Sequence, residues 1–377
     1  MGDLIRRLFG RRDGGGAEPV ANDETPGWDA ISDACERVYP GVEPLHYGTI
    51  LRASLGGPDP LDGVSVYRVD DRQPHWHYIS YGFSDLDGTP VAPVASDAVS
   101  GYGFELTLRL ADPAAADADA EPPVWPMNLM QNLARYVFST GNVFAAGHHL
   151  DANGPIQLDS DTQLTALALA RDPDLGSITT PLGRVDFLQL VGITDGELRA
   201  VQGWDTARLL EMLADTFPTV GPKLATDPAR GSLTDLSEAV AAIERDQREN
   251  GSSSGALYVD HLELRGDDGR IVIEQGANGV ESLLRLIPLR LPFGNPVIYQ
   301  GHGTGLLLLP GEQSEAELAD DRISCTVSLT PADVDALVGA LRPVRGEYRV
   351  PGLPGVTWRV VPSEITASDG RVTRTVG

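Results

Sequence analysis

The stretch that most constrains this chain is His75-Trp76-His77-Tyr78-Ile79-Ser80-Tyr81-Gly82-Phe83, which turns polar after Phe83 and reaches Gly88. Aromatic and β-branched residues in an unbroken run predict a long strand that ends in a turn. On a strand, His75, His77, Ile79, Tyr81 and Phe83 share one face, and Trp76, Tyr78 and Ser80 share the other. Large rings on both faces need cover on both sides. This is a central strand.

At 377 residues the chain exceeds the size at which one hydrophobic core stops growing, so two domains are expected. Residues 1–26 carry Arg, Gly and Pro and read as a disordered tail, with an amphipathic turn at Leu4–Phe9. Ile31, Ala34, Cys35 and Val38 recur at helical spacing between Trp28 and Tyr39, and strands follow at His46–Leu55 and Val64–Arg68. In Gly101–Leu110, Phe104, Leu106, Leu108 and Leu110 alternate with Glu105, Thr107 and Arg109, the pattern of a half-buried strand. Trp125, Leu129, Leu133 and Val137 form a helical stripe, and Pro126 suits its first turn. Further strands are predicted at Asn142–Leu150, Gln163–Ala170 and Arg184–Ile193. Thr194 with Glu197 then forms a capping box, opening a helix that runs to Phe217.

A first domain therefore spans 27–225. Residues 226–256 hold one short helical pattern at Leu236–Ile243 and end in the Gly/Ser run Gly251–Gly255, so they read as a linker. A smaller α+β domain occupies 257–377, with strands near Leu257–Leu264, Arg270–Gln275, Gly305–Leu309, Ser324–Leu329, Glu347–Val350 and Val356–Val361. Its marked helix has Thr330 as N-cap and Pro331 at the first position. The fold class is α+β, two-lobed, with mixed sheets and flanking helices in each lobe.

The net charge of −25 argues against direct contact with nucleic acid or anionic lipid and favours a basic partner. Cys35 and Cys325 stand far apart, which fits neither a disulfide framework nor a thiolate metal site; the reducing cytoplasm is the simplest setting. No uncharged apolar run is long enough for a membrane-spanning helix.

His75 and His77 form a His-x-His pair on one strand face, a spacing that can hold a metal between two imidazoles. His148 and His149 are adjacent, so only one can face inward on a strand. A metal site built from these, or histidines packed among aromatic neighbours, are the two readings. Phosphate-binding glycine loops with a lysine and His-Glu-x-x-His helices are absent from the sequence. Asp59, Asp62, Asp85 and Asp87 sit on turn-like segments where short acidic side chains bond backbone amides. A protein-binding scaffold, with no cofactor and no enzymatic activity, is the stronger class.

Several segments together resemble the Suppressor of fused family. They are Leu55–Asp62, His75–Leu86, Gly101–Thr107, Trp125-Pro126, Leu129–Gln131, Leu133–Phe138 and Val185–Gly192. They follow in family order across 28–225, and Gly352–Glu364 looks like the family's last strand. The long insertion of the family's second lobe is missing, as in the shorter bacterial members. The resemblance implies a two-lobed α+β binding protein without catalysis. In animals such proteins hold Gli-type transcription factors inactive, a short peptide adding as a strand in the cleft between lobes. Bacterial relatives are thought to act as immunity proteins that neutralise toxins.

By position, Tyr136 matches the cleft tyrosine that contacts the peptide, within the partner-binding set Tyr136, Phe144, Gly147, His148, His149 and Arg171. His148 stands where the animal proteins place an aspartate, and Arg171 where they carry a glutamate. Both exchanges replace an acid by a base, which implies a ligand of acidic or neutral character there. The expected partner is a protein or peptide, either a toxin or a transcription-factor segment. The alternative class is a metal-dependent enzyme centred on His75 and His77.

Overall fold

The structure, a computed structural model, describes residues 25–49, 57, 59–88, 98–267, 269–366 and 372–377. The expected tail and its Leu4–Phe9 turn lie outside the described residues, as does the second half of the His46–Leu55 strand. The described chain divides into two compact units. One holds residues 25–201 and Thr206–Val240; the other holds Gln202–Asp205 and Ala241–Gly377.

The first unit begins with helix α1 (Pro26–Val38), whose Pro26 has a φ suited to a first turn and no N–H to waste. Strands β1 (Leu45–Gly48), β2 (Gly63–Val69), β3 (His75–Tyr81) and β4 (Val99–Ala111) follow, then helix α2 (Trp125–Thr140). Next come β5 (His149–Asp151), β6 (Leu164–Arg171), β7 (Ser177–Thr180) and β8 (Gly183–Thr194), and helices α3 (Asp195–Val201) and α4 (Thr206–Thr216). One eight-stranded sheet runs β1-β2-β3-β4-β8-β6-β5, with β7 added to β8. Its pairs are antiparallel except β4 with β8, so the sheet is mixed.

Every residue of β3 is buried. Trp76 and Tyr78 face the α2 side, among Met130, Leu133 and Val137. Ile79 and Tyr81 face the α1 side, among Ile31, Ala34 and Cys35. Tyr78 donates its hydroxyl to Pro123 O at 2.8 Å, and Trp76 its indole N–H to Asp112 at 3.1 Å, so their burial strands no polar atom. Phe83 joins the Trp76 cluster rather than the His75 face. The strand stops at Tyr81, and Gly82, at φ +128°, takes a conformation that breaks the alternation.

Two expectations are corrected here. In β4 the polar positions Glu105, Thr107 and Arg109 do not face water; all three are fully buried. Alternation reports two unlike faces, but α1 and the segment after β6 cover the polar one. The Asn142–Leu150 strand shrinks to β5, because Gly141 (φ +73°) and Gly147 (φ +90°) bend the chain between α2 and the sheet. The Thr194–Glu197 box forms as read: Glu197 accepts the Thr194 N–H at 2.8 Å, and Thr194 Oγ1 accepts that of Glu197 at 3.3 Å. The helix beyond it is broken by Gln202–Asp205 into α3 and α4.

Helix α5 (Ser237–Asn250) leads to β9 (Ala256–Tyr258), β10 (Leu262–Asp267), β11 (Arg270–Gly276) and helix α6 (Ala277–Leu286). Then come β12 (Val297–Gln300), β13 (Gly305–Pro310), β14 (Glu315–Leu318), β15 (Ser324–Leu329) and helix α7 (Pro331–Ala340). The last strands are β16 (Gly346–Tyr348), β17 (Val356–Val361), β18 (Ser363–Thr366) and β19 (Val372–Val376). The second unit carries sheets β10-β11-β17-β16 and β14-β15-β13-β12-β9 and a β18–β19 hairpin. Its core gathers Ile273, Val280, Leu283, Tyr299, Leu306, Val327, Leu337 and Trp358. Thr330 caps α7 as its sequence predicts, its side chain accepting from Asp333 N. Both units are α+β with mixed sheets and helices. Among the described residues, no helix is long and apolar enough to cross a membrane.

Candidate partner-binding face

Near its C-terminus α2 presents Tyr136 and Phe138 to solvent while Val137 between them is buried. Tyr136 is 41% exposed, so it is not a core residue. Its ring stacks on Phe144 at 6.0 Å and 13°, and Phe144 leans on Phe104 at 6.0 Å. The Tyr136 hydroxyl accepts from Asn142 Nδ2 at 2.8 Å, which ties the ring to the segment leaving the helix. On the other flank Phe138 meets Tyr102 at 4.9 Å.

The chain then turns at Gly147, whose positive φ suits glycine. Gly147 N donates to Leu169 O at 2.7 Å, and Leu169 N to His148 O at 2.9 Å. Gly147 and His148 thus continue the pairing of β5, the strand at this edge of the sheet, with β6, which ends at Arg171. His149 lies opposite Ala168 and reaches Thr206 Oγ1 at 3.4 Å, so it is turned to the sheet face away from Leu169. Burial lowers His148, and burial together with the neighbouring His148 brings His149 down to about 4. Both rings are neutral near pH 7. Arg171 is exposed, donates to Ser177 Oγ at 2.8 Å and lies 4.0 Å from Asp186. The structure therefore joins Tyr136 to Phe144 directly. It brings Gly147 and His148 onto Leu169, two residues before Arg171, and turns His149 aside.

His75 and His77 are elsewhere, in the protein interior. The Asp172 carboxylate is an obligate acceptor, so His77 Nε2 carries the proton and donates to it at 3.1 Å; Nδ1 then accepts from the Tyr39 hydroxyl at 2.7 Å. Burial, then Arg109, lowers His77 to about 4 and keeps it neutral. Both its ring nitrogens are committed to this network, and His75 Nδ1 holds Gln73 O at 2.7 Å. Asp172 also accepts from Thr107 at 2.8 Å, from Arg109 at 2.7 and 3.2 Å, and from the amides of Asp174 and Leu175, each at 2.9 Å. Burial would raise its pKa, yet His77 and Arg109 hold the carboxyl well below the usual carboxylate range. These residues fix the end of β6, and so the root of Arg171. Among the described residues, the group placed to ligate a metal is His261, Glu263 and Glu274, on the second unit. Arg265 and Arg359 already lie 3.5 and 3.3 Å from Glu274.

Residues 57–231 match the family model for the Suppressor of fused protein, SUFU. Against the human Suppressor of fused homolog the chain is 42% identical over 213 residues, 54% of this chain and 43% of that protein; the mouse homolog gives the same values. The match thus spans less than half the length of these relatives. A chain of the Sufu–Fu complex is 36% identical, with a TM-score of 0.53 over 58% of this chain and 98% of the other. The chain belongs to the Suppressor of fused family. The crystal structure of Drosophila Suppressor of Fused extends the likeness to 90% of this chain and 98% of its own, with a TM-score of 0.72 at 25% identity. The Suppressor of fused likeness thus covers both units, and the Sufu–Fu complex shows that a member binds a protein partner.

Proposed function

We propose that this chain is a non-enzymatic binding protein that sequesters a partner by taking up a peptide segment beside α2 and the 147–151 edge. Its biological use, in this reading, is immunity: neutralising a toxin in the cytoplasm. The observation that carries the reading is the solvent-facing Tyr136–Phe144 pair, held by Asn142 next to the outermost strand. A rigid ring with little entropy to lose is a favourable anchor for a partner, and an edge strand offers backbone groups for ladder bonds. Arg171 at the end of β6 supplies a polar group for selectivity.

Co-expression with the product of the gene next to this one, which the proposal expects to be a toxin, tests it. Wild-type protein should restore growth, and Tyr136→Ala should fail to, while keeping the wild-type circular dichroism spectrum. Growth restored equally by both proteins, or by neither, would overturn it. The regulator reading draws on the 42% identity to animal Suppressor of fused homologs. It predicts instead that a DNA-binding protein co-purifies with the chain.

A further inference from the structure

We infer that the face beside the end of α2 takes an acidic peptide segment, with Arg171 and Arg184 receiving a carboxylate and the Tyr136–Phe144 rings packing the neighbouring side chain. This rests on the reading of that face as the partner-binding surface, and deepens it by naming the chemistry of the ligand.

The sheet register makes the rings and the guanidinium groups neighbours. Phe104 of β4 lies beside Asp186 of β8 in the parallel pair. Alternation then places Arg184, Asp186, Leu188 and Leu190 on one face, the face packed against α2. Arg171 shares that face with Leu167 and Leu169. Phe104 carries Phe144, and Phe144 carries Tyr136, so the rings and the arginines are linked through the buried Phe104, the neighbour of Asp186.

Two guanidinium groups meet on this face of an acidic molecule. Arg171 Nη2 and Arg184 Nη1 lie 4.0 and 3.4 Å from the same Asp186 oxygen, so two cations share one carboxylate. Both side chains stay half-exposed, at 55% and 51%. Ser177 occupies the rest of the Asp186 carboxylate, donating to it at 2.5 Å. Among the described residues, Asp186 is the one carboxylate within 4.0 Å of either guanidinium group, on a chain of net charge −25. The body attracts cations diffusely, an effect that salt screens over about 8–10 Å at ordinary ionic strength. An acidic ligand is held only where guanidinium groups meet it at short range, in their paired donor geometry. Salt therefore separates the two cases. Basic peptides should lose binding steeply as salt rises, while an acidic one changes little, because screening weakens its ion pair and its repulsion from the body together.

Selection of a random dodecapeptide phage library on the full chain tests this, run in parallel on Tyr136→Ala, Arg171→Glu/Arg184→Glu and Arg171→Gln/Arg184→Gln. Wild type should enrich Asp or Glu next to an aromatic or aliphatic residue. Selected peptides should lose about tenfold in affinity with the Gln pair and more with the Glu pair, which should enrich Lys or Arg instead. Tyr136-dependent peptides with no acid, or with equal affinity for all arginine variants, would overturn the inference and leave the binding reading standing. Peptides indifferent to Tyr136, or no enrichment at all, would overturn both.

Discussion

Replacing Asp172 by Asn removes one charge and no volume, and it should be among the most damaging single changes in the first unit. The carboxylate is fully buried and accepts from His77, Thr107, both Arg109 terminal nitrogens, and the amides of Asp174 and Leu175. An Asn can keep Oδ1 on the two amides, but its Nδ2 then points a donor at three donors. Arg109, itself buried, keeps Asp174, the side chain of Gln189 and, at Nη2, the Asn oxygen. Breaking one partner of a buried ion pair costs roughly 3–5 kcal/mol when the remaining charge loses its counterpart entirely, and Asp174 holds this case to the lower figure, about 3 kcal/mol. For a unit of this size that lowers the melting temperature by about 6–12 °C. Urea unfolding followed by circular dichroism measures it. A loss under about 1 kcal/mol would refute the argument, since it would mean that water or a rearranged neighbour replaces the carboxylate freely. The double variant Asp172→Leu/Arg109→Met should cost clearly less than the sum of its single changes, because the two buried groups then leave together.

Other outcomes follow from the same geometry. Burial pushes Glu105 up to about 7, against the bonds it accepts from Ser80, Ser84 and Gly82. An acid raised from an ordinary 4.5 stabilises the fold fully below that value and loses this contribution as pH rises through 7. The Glu105→Gln variant should therefore remove a slope of roughly 3 kcal/mol between pH 4.5 and 7, read from unfolding curves across that range; an unchanged slope would count against it. Thr330→Ala should cost about 1 kcal/mol through the lost α7 cap, seen as a shift in the urea midpoint without a change in slope.

What the sequence determined by itself was local or compositional. Trp76 to Tyr81 could only be a strand covered on both sides, because rings alternate onto both faces and none of them suits water. The Thr194–Glu197 box and the Thr330–Pro331 start were legible because caps act within three residues of their own backbone. Tyr136 stands out by its family segment, while periodicity alone leaves it beside the core stripe; its exposure is a fact of the tertiary structure. Helix α6 was missed, since Asn278-Gly279 reads as a turn until the packing of Val280 and Leu283 overrides it. Only the tertiary structure decided whether Glu105, Thr107 and Arg109 meet solvent. A half-exposed strand and a strand with a buried polar face show the same alternation; Ser80, Gly82 and Ser84 settle it for Glu105, and for Thr107 and Arg109 the partner is Asp172, which stands 63 residues beyond Arg109. The same holds for Arg171 and Arg184. Their charges are plain in the chain, but that they share Asp186, and that Asp186 lies beside Phe104, depends on the β6–β8 and β4–β8 registers, which long-range packing sets.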